Sequence, residues 1–350
     1  MDRDAPMLAA HADWSVNPAK RIITTAKRRA GRWLVAAPAP VGPPGDLLAT
    51  LLHKAAGTPV AFGADFPLGL PRAYADRAAI TDFPAWLRAL RPNDPLFRVC
   101  DSPAEISLAR PFYPRTRVSG AGHLAALAQA LGLADPQDLR RAVDHPTAHR
   151  PGGAPLFWTL GANQCGKAAL SAWRDCLLPA FAAQIPLSLW PFDGDFCALL
   201  HPAHIVIAET YPAESLVQLG LVLHGSKRKQ ADRQALAPDL RRTLARLHAD
   251  PSPALEIAMT KGFGPTQTGE DQFDSLLGAL NVIAILNGAP DRAPAQRPID
   301  PVEGWVLGQV DPPMMRPPVP PLASSKPQPD RQPRAARRSP LADPPMTDSD

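Results

Sequence analysis

Apolar and polar positions along the chain first alternate in short runs and later with helical spacing. Residues 7–13 (MLAAHAD) form an apolar run that ends on Asp13 and gives way to the turn residues Trp14-Ser15-Val16-Asn17-Pro18. That pattern predicts a buried strand. Residues 20–27 (KRIITTAK) are rich in β-branched side chains and predict a second strand. Residues 32–37 (RWLVAA) predict a third, with Lys27, Arg28, Arg29 and Arg32 at the hairpin between them. From Asp46 to Ala56 the leucines Leu47, Leu48, Leu51 and Leu52 share one side, which predicts an amphipathic helix closed by Gly57. Pro59 to Ala64 then reads as a buried fourth strand with Asp65 at its carboxyl end.

Residues 72–184 read as a mainly helical insertion, with helices expected at 76–90, 122–131 and 167–183. Strand patterns resume at 186–192 (PLSLWPF) and at 203–208 (AHIVIA), the latter leading into Glu209. Residues 232–248 predict one or two helices around Pro238. The run 268–286 predicts a long helix with Phe273, Leu276, Leu277 and Leu280 on one face. The expected class is therefore α/β, a mixed sheet flanked by helices, with a large helical insertion after the fourth strand. In open α/β sheets ligand sites lie outside the carboxyl ends of the parallel strands.

Composition changes this picture at the ends. The chain has 350 residues, 45% of them hydrophobic, which suffices for one large domain over 1–309. Many of its 44 prolines lie beyond residue 310, in a stretch with few large apolar residues, so 310–350 is expected to be a disordered Pro-rich tail. The start, Met-Asp-Arg-Asp-Ala-Pro, lacks the pattern of a secretory signal, and no run reaches the ~18 apolar residues of a membrane span. Cys100, Cys165, Cys176 and Cys197 form no zinc or disulfide pattern. A soluble, cytoplasmic protein with no membrane partner is expected. A net charge of +4 is compatible with nucleic acid as a possible partner without requiring it.

Five segments carry a resemblance: GADFPLGLP at 63–71, AETYPAES at 208–215, SKRK at 226–229, EDQFDSLLGAL at 270–280 and EGWVLG at 303–308. In that order, with Asp13 ahead of them, they resemble an uncharacterised family of predicted ribonuclease H-like nucleases. The final D-x-x-D pair, Asp271 and Asp274, is also distantly similar to the last-helix acids of RuvC-type resolvases. One departure stands out. Members of that family usually have a glycine-rich turn after the first-strand Asp, whereas Trp14 to Pro18 stand here.

The resemblance implies divalent-metal-dependent hydrolysis of nucleic-acid phosphodiesters with Mg²⁺ or Mn²⁺. Such chemistry needs several carboxylates from separate elements around the ion or ion pair. Asp13, Asp65 and Asp274 are the expected ligands, Asp271 a further one, and Glu209 an assisting carboxylate. Three of these acids have a structural alternative. Asp13 could cap the turn before Asn17, Asp271 could complete a capping box with Thr268, and Glu209 could serve the start of the next helix. Asp193 shares the setting of Glu209. Lys227, Arg228 and Lys229, together with the hairpin cations, could track a phosphate backbone or form a solvated face.

Residues 161–168 (GANQCGKA) match G-x-x-x-x-G-K, but Ala168 stands where a P-loop needs a hydroxyl for Mg²⁺. Two other classes share this fold: a non-catalytic nucleic-acid-binding or scaffold protein, and an actin-like ATP-dependent phosphotransferase. The latter would need glycine-rich phosphate hairpins after Asp13 and Asp65, and neither turn has them.

Overall fold

The structure is a computed structural model, which describes residues 5–114, 122–160, 165–292 and 299–310. The chain divides into residues 1–315 and 316–350, and every described element belongs to the first unit. The expected Pro-rich tail and most of the G-x-x-x-x-G-K match lie outside the described residues.

Eight strands form one mixed sheet: β1 Met7–Asp13, β2 Ile22–Arg29, β3 Arg32–Val35, β4 Ala39–Pro40, β5 Val60–Ala64, β6 Leu187–Trp190, β7 Ile205–Glu209 and β8 Ala249–Pro251. The order is β6-β7-β5-β1-β2-β3-β8, with β4 on β2. β1, β2 and β3 pair antiparallel, while β5, β7 and β6 run parallel to β1. The late strand beside β5 is β7, and β6 lies outside it.

Helices α1 Leu47–Ala55, α2 Arg72–Arg77, α3 Phe83–Ala89, α4 His123–Ala130, α5 Cys165–Ala172 and α6 Leu178–Ala182 precede β6. After it come α7 Pro212–Gln218, α8 Gln230–Ala235, α9 Ala237–Arg246, α10 Pro253–Thr260 and α11 Thr268–Leu286.

Several boundaries differ from the sequence expectation for local reasons. The second strand opens at Ile22 and not at Lys20, because residues 18–20 form a turn in which Asn17 Oδ1 accepts the Ala19 N–H at 3.1 Å and Pro18 fixes the first position. The helix expected over 76–90 is two helices, broken at Ala79 (φ 54°) and restarted by Asp82, whose carboxylate accepts the Ala85 N–H at 2.7 Å. The two-strand tip at Ala30-Gly31 has both residues at positive φ, which suits a two-residue hairpin. β4, β8 and α10 escaped the pattern; β4 and β8 are too short for a period to register.

Strand alternation divides the core in two. Leu8, Ala10, Ala12, Val60, Phe62, Ala64, Ile205 and Ile207 pack toward the helices between β5 and β6 and toward α1. Met7, Ala9, Ala61, Val206 and Ala208 pack on the other face, with α9, α10 and α11. α11 crosses β1, β2 and β5 directly.

Two glycines set how closely α11 approaches. A Cβ on Gly278 would lie 2.2 Å from His11 Cδ2, and one on Gly63 would lie 2.8 Å from Val282 Cγ2. The imidazole of His11 fills this seam, fully buried, with neither ring nitrogen hydrogen-bonded. Burial lowers its pKa to about 3, so it is neutral and acts as packing. Ser275 Oγ bonds the His11 carbonyl at 3.2 Å and meets Thr24 Oγ1 at 2.9 Å, which fixes the helix along the strand.

Gly278→Ala should therefore destabilise the protein by about 2–3 kcal/mol despite the better helix propensity of alanine. Adding His11→Ala should recover at least about 1 kcal/mol of that in urea melts. Additive losses would show that the seam does not set the helix position.

Candidate functional site

The parity that packs His11 under α11 also aims the next residue of its face, Asp13, at the same helix. On β5 the corresponding series is Ala61, Gly63 and Asp65. The Asp65 N–H donates to the Ala12 carbonyl at 3.0 Å, so the two acids end neighbouring parallel strands side by side. On α11, Val282, Gly278 and Asp274 lie four apart on one face. With Val282 at Gly63 and Gly278 at His11, Asp274 arrives at Asp13 and Asp65.

The electrostatics are those of a concentrated acid site. Asp13 and Asp274 are buried, Asp65 and Asp271 half-buried. Burial, then repulsion from Asp274, Asp65 and Asp271, holds the Asp13 carboxyl well above the usual range. Asp65 is raised to about 7 by burial and by Asp274, and shares a hydrogen bond with Asp13. Asp271 is raised to about 6, chiefly by burial, against the pull of Lys20. Asp274 is raised by burial and held down by Lys227.

Several acceptors have no partner. Asp274 Oδ1 and Asp271 Oδ2 are buried without a hydrogen bond, as is the Thr210 hydroxyl beside the Asp65 register. Buried polar atoms left this way are costly, and they cluster at sites built for a ligand.

Lys227 enters between α7 and α8. Its ammonium bonds Asp274 Oδ2 and lies 3.6 Å from Glu270 Oε1. Those carboxylates hold its pKa up. The buried Arg233 anchors it, donating to the Lys227 carbonyl, to Gly262 O at 3.0 Å and to Gly264 O at 2.6 Å. One guanidinium thus ties the lysine loop to the turn preceding α11.

Glu209, expected to assist, is turned away from this cluster. Ala64 pairs with Glu209, so its side chain belongs to the face of Ala12 and Ala64. There Arg141 grips both oxygens at 2.6 and 2.7 Å, and the Leu68 N–H donates to Oε2 at 2.7 Å. Arg141 also holds Asp144 at 2.9 Å and is itself buried. The pair fixes the chain leaving β5, and Glu209 reaches Asp65 only through space. It does not serve the start of α7. Asp193 accepts the Leu189 N–H at 2.7 Å, a turn contact away from the acids.

The capping alternatives for the acids do not form. Asn17 caps the turn after β1, and α11 begins with Gln267 and no side-chain cap, so Asp271 completes no capping box. In the turn after β1, Trp14 is buried edge-on to Phe66 and donates to Ser171 Oγ at 3.0 Å. Arg21 stacks on its ring and bonds the Ser15 and Val16 carbonyls. The loop is fixed by side chains.

Sequence reasoning passed over Glu270, Thr210 and His11, and took Lys227 for a phosphate contact or part of a solvated face. Counting alternate residues back from Asp13 would have found His11 on the same face. Lys167, the lysine of the G-x-x-x-x-G-K match, lies in α5.

Among the described residues no three His, Cys, Asp or Glu side chains are grouped closely enough to hold a metal ion as they stand. None of these residues belongs to a helix long and apolar enough to cross a membrane. Compared with protein-family models, curated proteins and solved structures, the chain matches none.

Because Asp65 holds its proton more tightly folded than unfolded, stability falls as pH rises from about 4 to about 7. Asp65→Asn removes this contribution. Its melting curve should lie above wild type at pH 8, by about 1–2 kcal/mol, and converge with it near pH 4. Equal gains at both pH values would show that the group does not titrate in this window.

Proposed function

We propose that the chain is a divalent-metal-dependent nuclease with a ribonuclease H-like core. The observation that carries this is the electrostatic meeting of Asp13, Asp65 and Asp274, from two adjacent parallel strand ends and one crossing helix, with Asp274 Oδ1 buried and unpartnered. The strand order β3-β2-β1-β5-β7, antiparallel and then parallel, supports the core assignment. So does the absence of sheet strands among the described residues between β5 and β6, where the helical insertion would sit.

The donor set is all carboxylate oxygen, which suits Mg²⁺ or Mn²⁺. Asp13, Asp65 and Asp274 would hold the ion only on moving closer together than they stand here, and Asp271 lies one helical turn from Asp274. When bound, such an ion polarises a phosphoryl oxygen and activates water near neutral pH. The chain's own contributions are separable from that. Asp65 must surrender the proton it shares with Asp13, so metal affinity should climb with pH up to about 7. Lys20 and Lys227 supply positive charge beside the acids, where a phosphodiester would otherwise be repelled. Trp14 and Arg21 hold the rim loop in place.

The test is cleavage of single- and double-stranded DNA and RNA with Mn²⁺ or Mg²⁺, by wild type and by Asp65→Asn and Asp274→Asn. Wild type should cleave at least one substrate, stop with EDTA, and lose roughly a hundredfold or more in rate in either variant. Asp65→Asn should be the more stable protein, so its loss would not reflect unfolding. Undiminished cleavage by both variants would remove the site. Folded wild type that neither cleaves nor binds metal would leave a non-catalytic binding or scaffold role.

A further inference from the structure

The acid site makes no use of the cations on the β2–β3 hairpin. There strand alternation sends Ala26, Trp33, Val35 and Ala249 into the core shared with α11, and turns Lys27, Arg29, Arg32, Leu34 and Asp250 outward into solvent. Register sets Arg29 directly opposite Arg32, Lys27 opposite Leu34, and Leu34 beside Asp250. On this side of the sheet α1 packs over β1 and β5, whereas these five residues stand exposed. Arg32 bonds both oxygens of Asp250, at 2.8 and 2.6 Å. Lys27 and Arg29 make no ion pair with any described residue. The face thus sets three cations against one carboxylate, and places two like charges directly across the hairpin. Such a pair is unfavourable alone and is relieved by an anion between its members.

We propose that this face is a holding surface for nucleic acid, gripping the phosphodiester backbone through Lys27, Arg29 and Arg32. This rests on nucleic acid being the partner, as in the reading above, but not on any metal. Lys27 and Arg29 lie two residues apart on one strand, about 7 Å, a spacing comparable with the step between phosphates along a nucleic-acid strand. An arginine can give a phosphate two parallel hydrogen bonds. An acidic protein fits less well. Protein interfaces centre on a buried apolar cluster, and Leu34, 58% exposed, is the single apolar side chain among these five. Lys27 pairs with Leu8 on β1, five residues before Asp13 and on the other face of the sheet. That is about 17 Å from Asp13 along the strand. The surface therefore sets affinity without touching the reacting atoms.

The experiment is fluorescence anisotropy of a labelled DNA duplex of about 30 base pairs with the full chain in EDTA, at salt from about 50 to about 200 mM. One duplex serves as probe because phosphate contacts are indifferent to sequence. Wild type should bind, with affinity falling as salt rises. Lys27→Gln with Arg29→Gln should bind at least about tenfold more weakly, with a salt slope shallower by about 2. Arg241→Gln with Arg242→Gln removes the same charge from exposed positions on α9, which packs on the opposite side of the sheet, and should bind as wild type. Circular dichroism checks that each protein is folded. Folded wild type that does not bind, the same loss in both double variants, or a hairpin variant that binds as wild type would overturn the surface. Displacement of the DNA by polyglutamate at equal charge would overturn it in favour of an acidic protein partner. With EDTA present, none of these outcomes depends on the acid site. Binding retained by a wild type that fails to cleave with Mn²⁺ would overturn the nuclease reading alone.

Discussion

Everything in the acid site depends on how closely α11 lies on the sheet. The contact is made by absent side chains: Gly278 admits the His11 ring, and Gly63 admits Val282. A helix held one methyl group further out would carry Asp274 away from Asp13 and Asp65, since helix positions four apart move together. His11 is the spacer that defines the distance. It remains uncharged because it is buried against apolar neighbours and its nitrogens meet nothing polar. The Ser275 bonds to His11 and Thr24 then fix the helix in the remaining direction, along the strand.

The sheet separates two kinds of charge by its alternation. On the α11 face, carboxylates crowd together with two lysines and raise one another's affinity for protons. On the other face, Glu209 meets Arg141 in a paired, fully bonded arrangement. The first kind is unfavourable without a cation, and the second satisfies itself. Both sit at the same end of the sheet, with Glu209 in register with Ala64, one residue before Asp65. That contrast in charge pairing is what the proposed metal-dependent reading rests on.

Much of this was legible in the sequence where the physics is local. The apolar run ending on Asp13, the run before Asp65 and the face of 268–286 each gave an element in nearly its observed place, because period and length together identify them. Less was legible where partners are distant. Glu209 looked like a site acid because it ends a strand, but which face it takes depends on its pairing with Ala64. Nothing near Arg141 in sequence indicates that it will neutralise a glutamate 68 residues on. Lys227 reads as one member of a solvated charge run, and only the anchoring by Arg233 makes it a component of the acid cluster. Short edge elements such as β4 and β8 owe their existence to a neighbouring strand and carry no pattern of their own.

The central claim is that Asp13, Asp65 and Asp274 form one electrostatic unit. Its most direct test is a carbon-13 NMR titration of aspartate side-chain carboxyls from pH 4 to 9, with resonances assigned by substitution. The expected result is an Asp65 midpoint near 7 that falls in Asp274→Asn, because a repelling neighbour has been removed. An Asp65 midpoint near the ordinary 3.8, unmoved by that substitution, would contradict it.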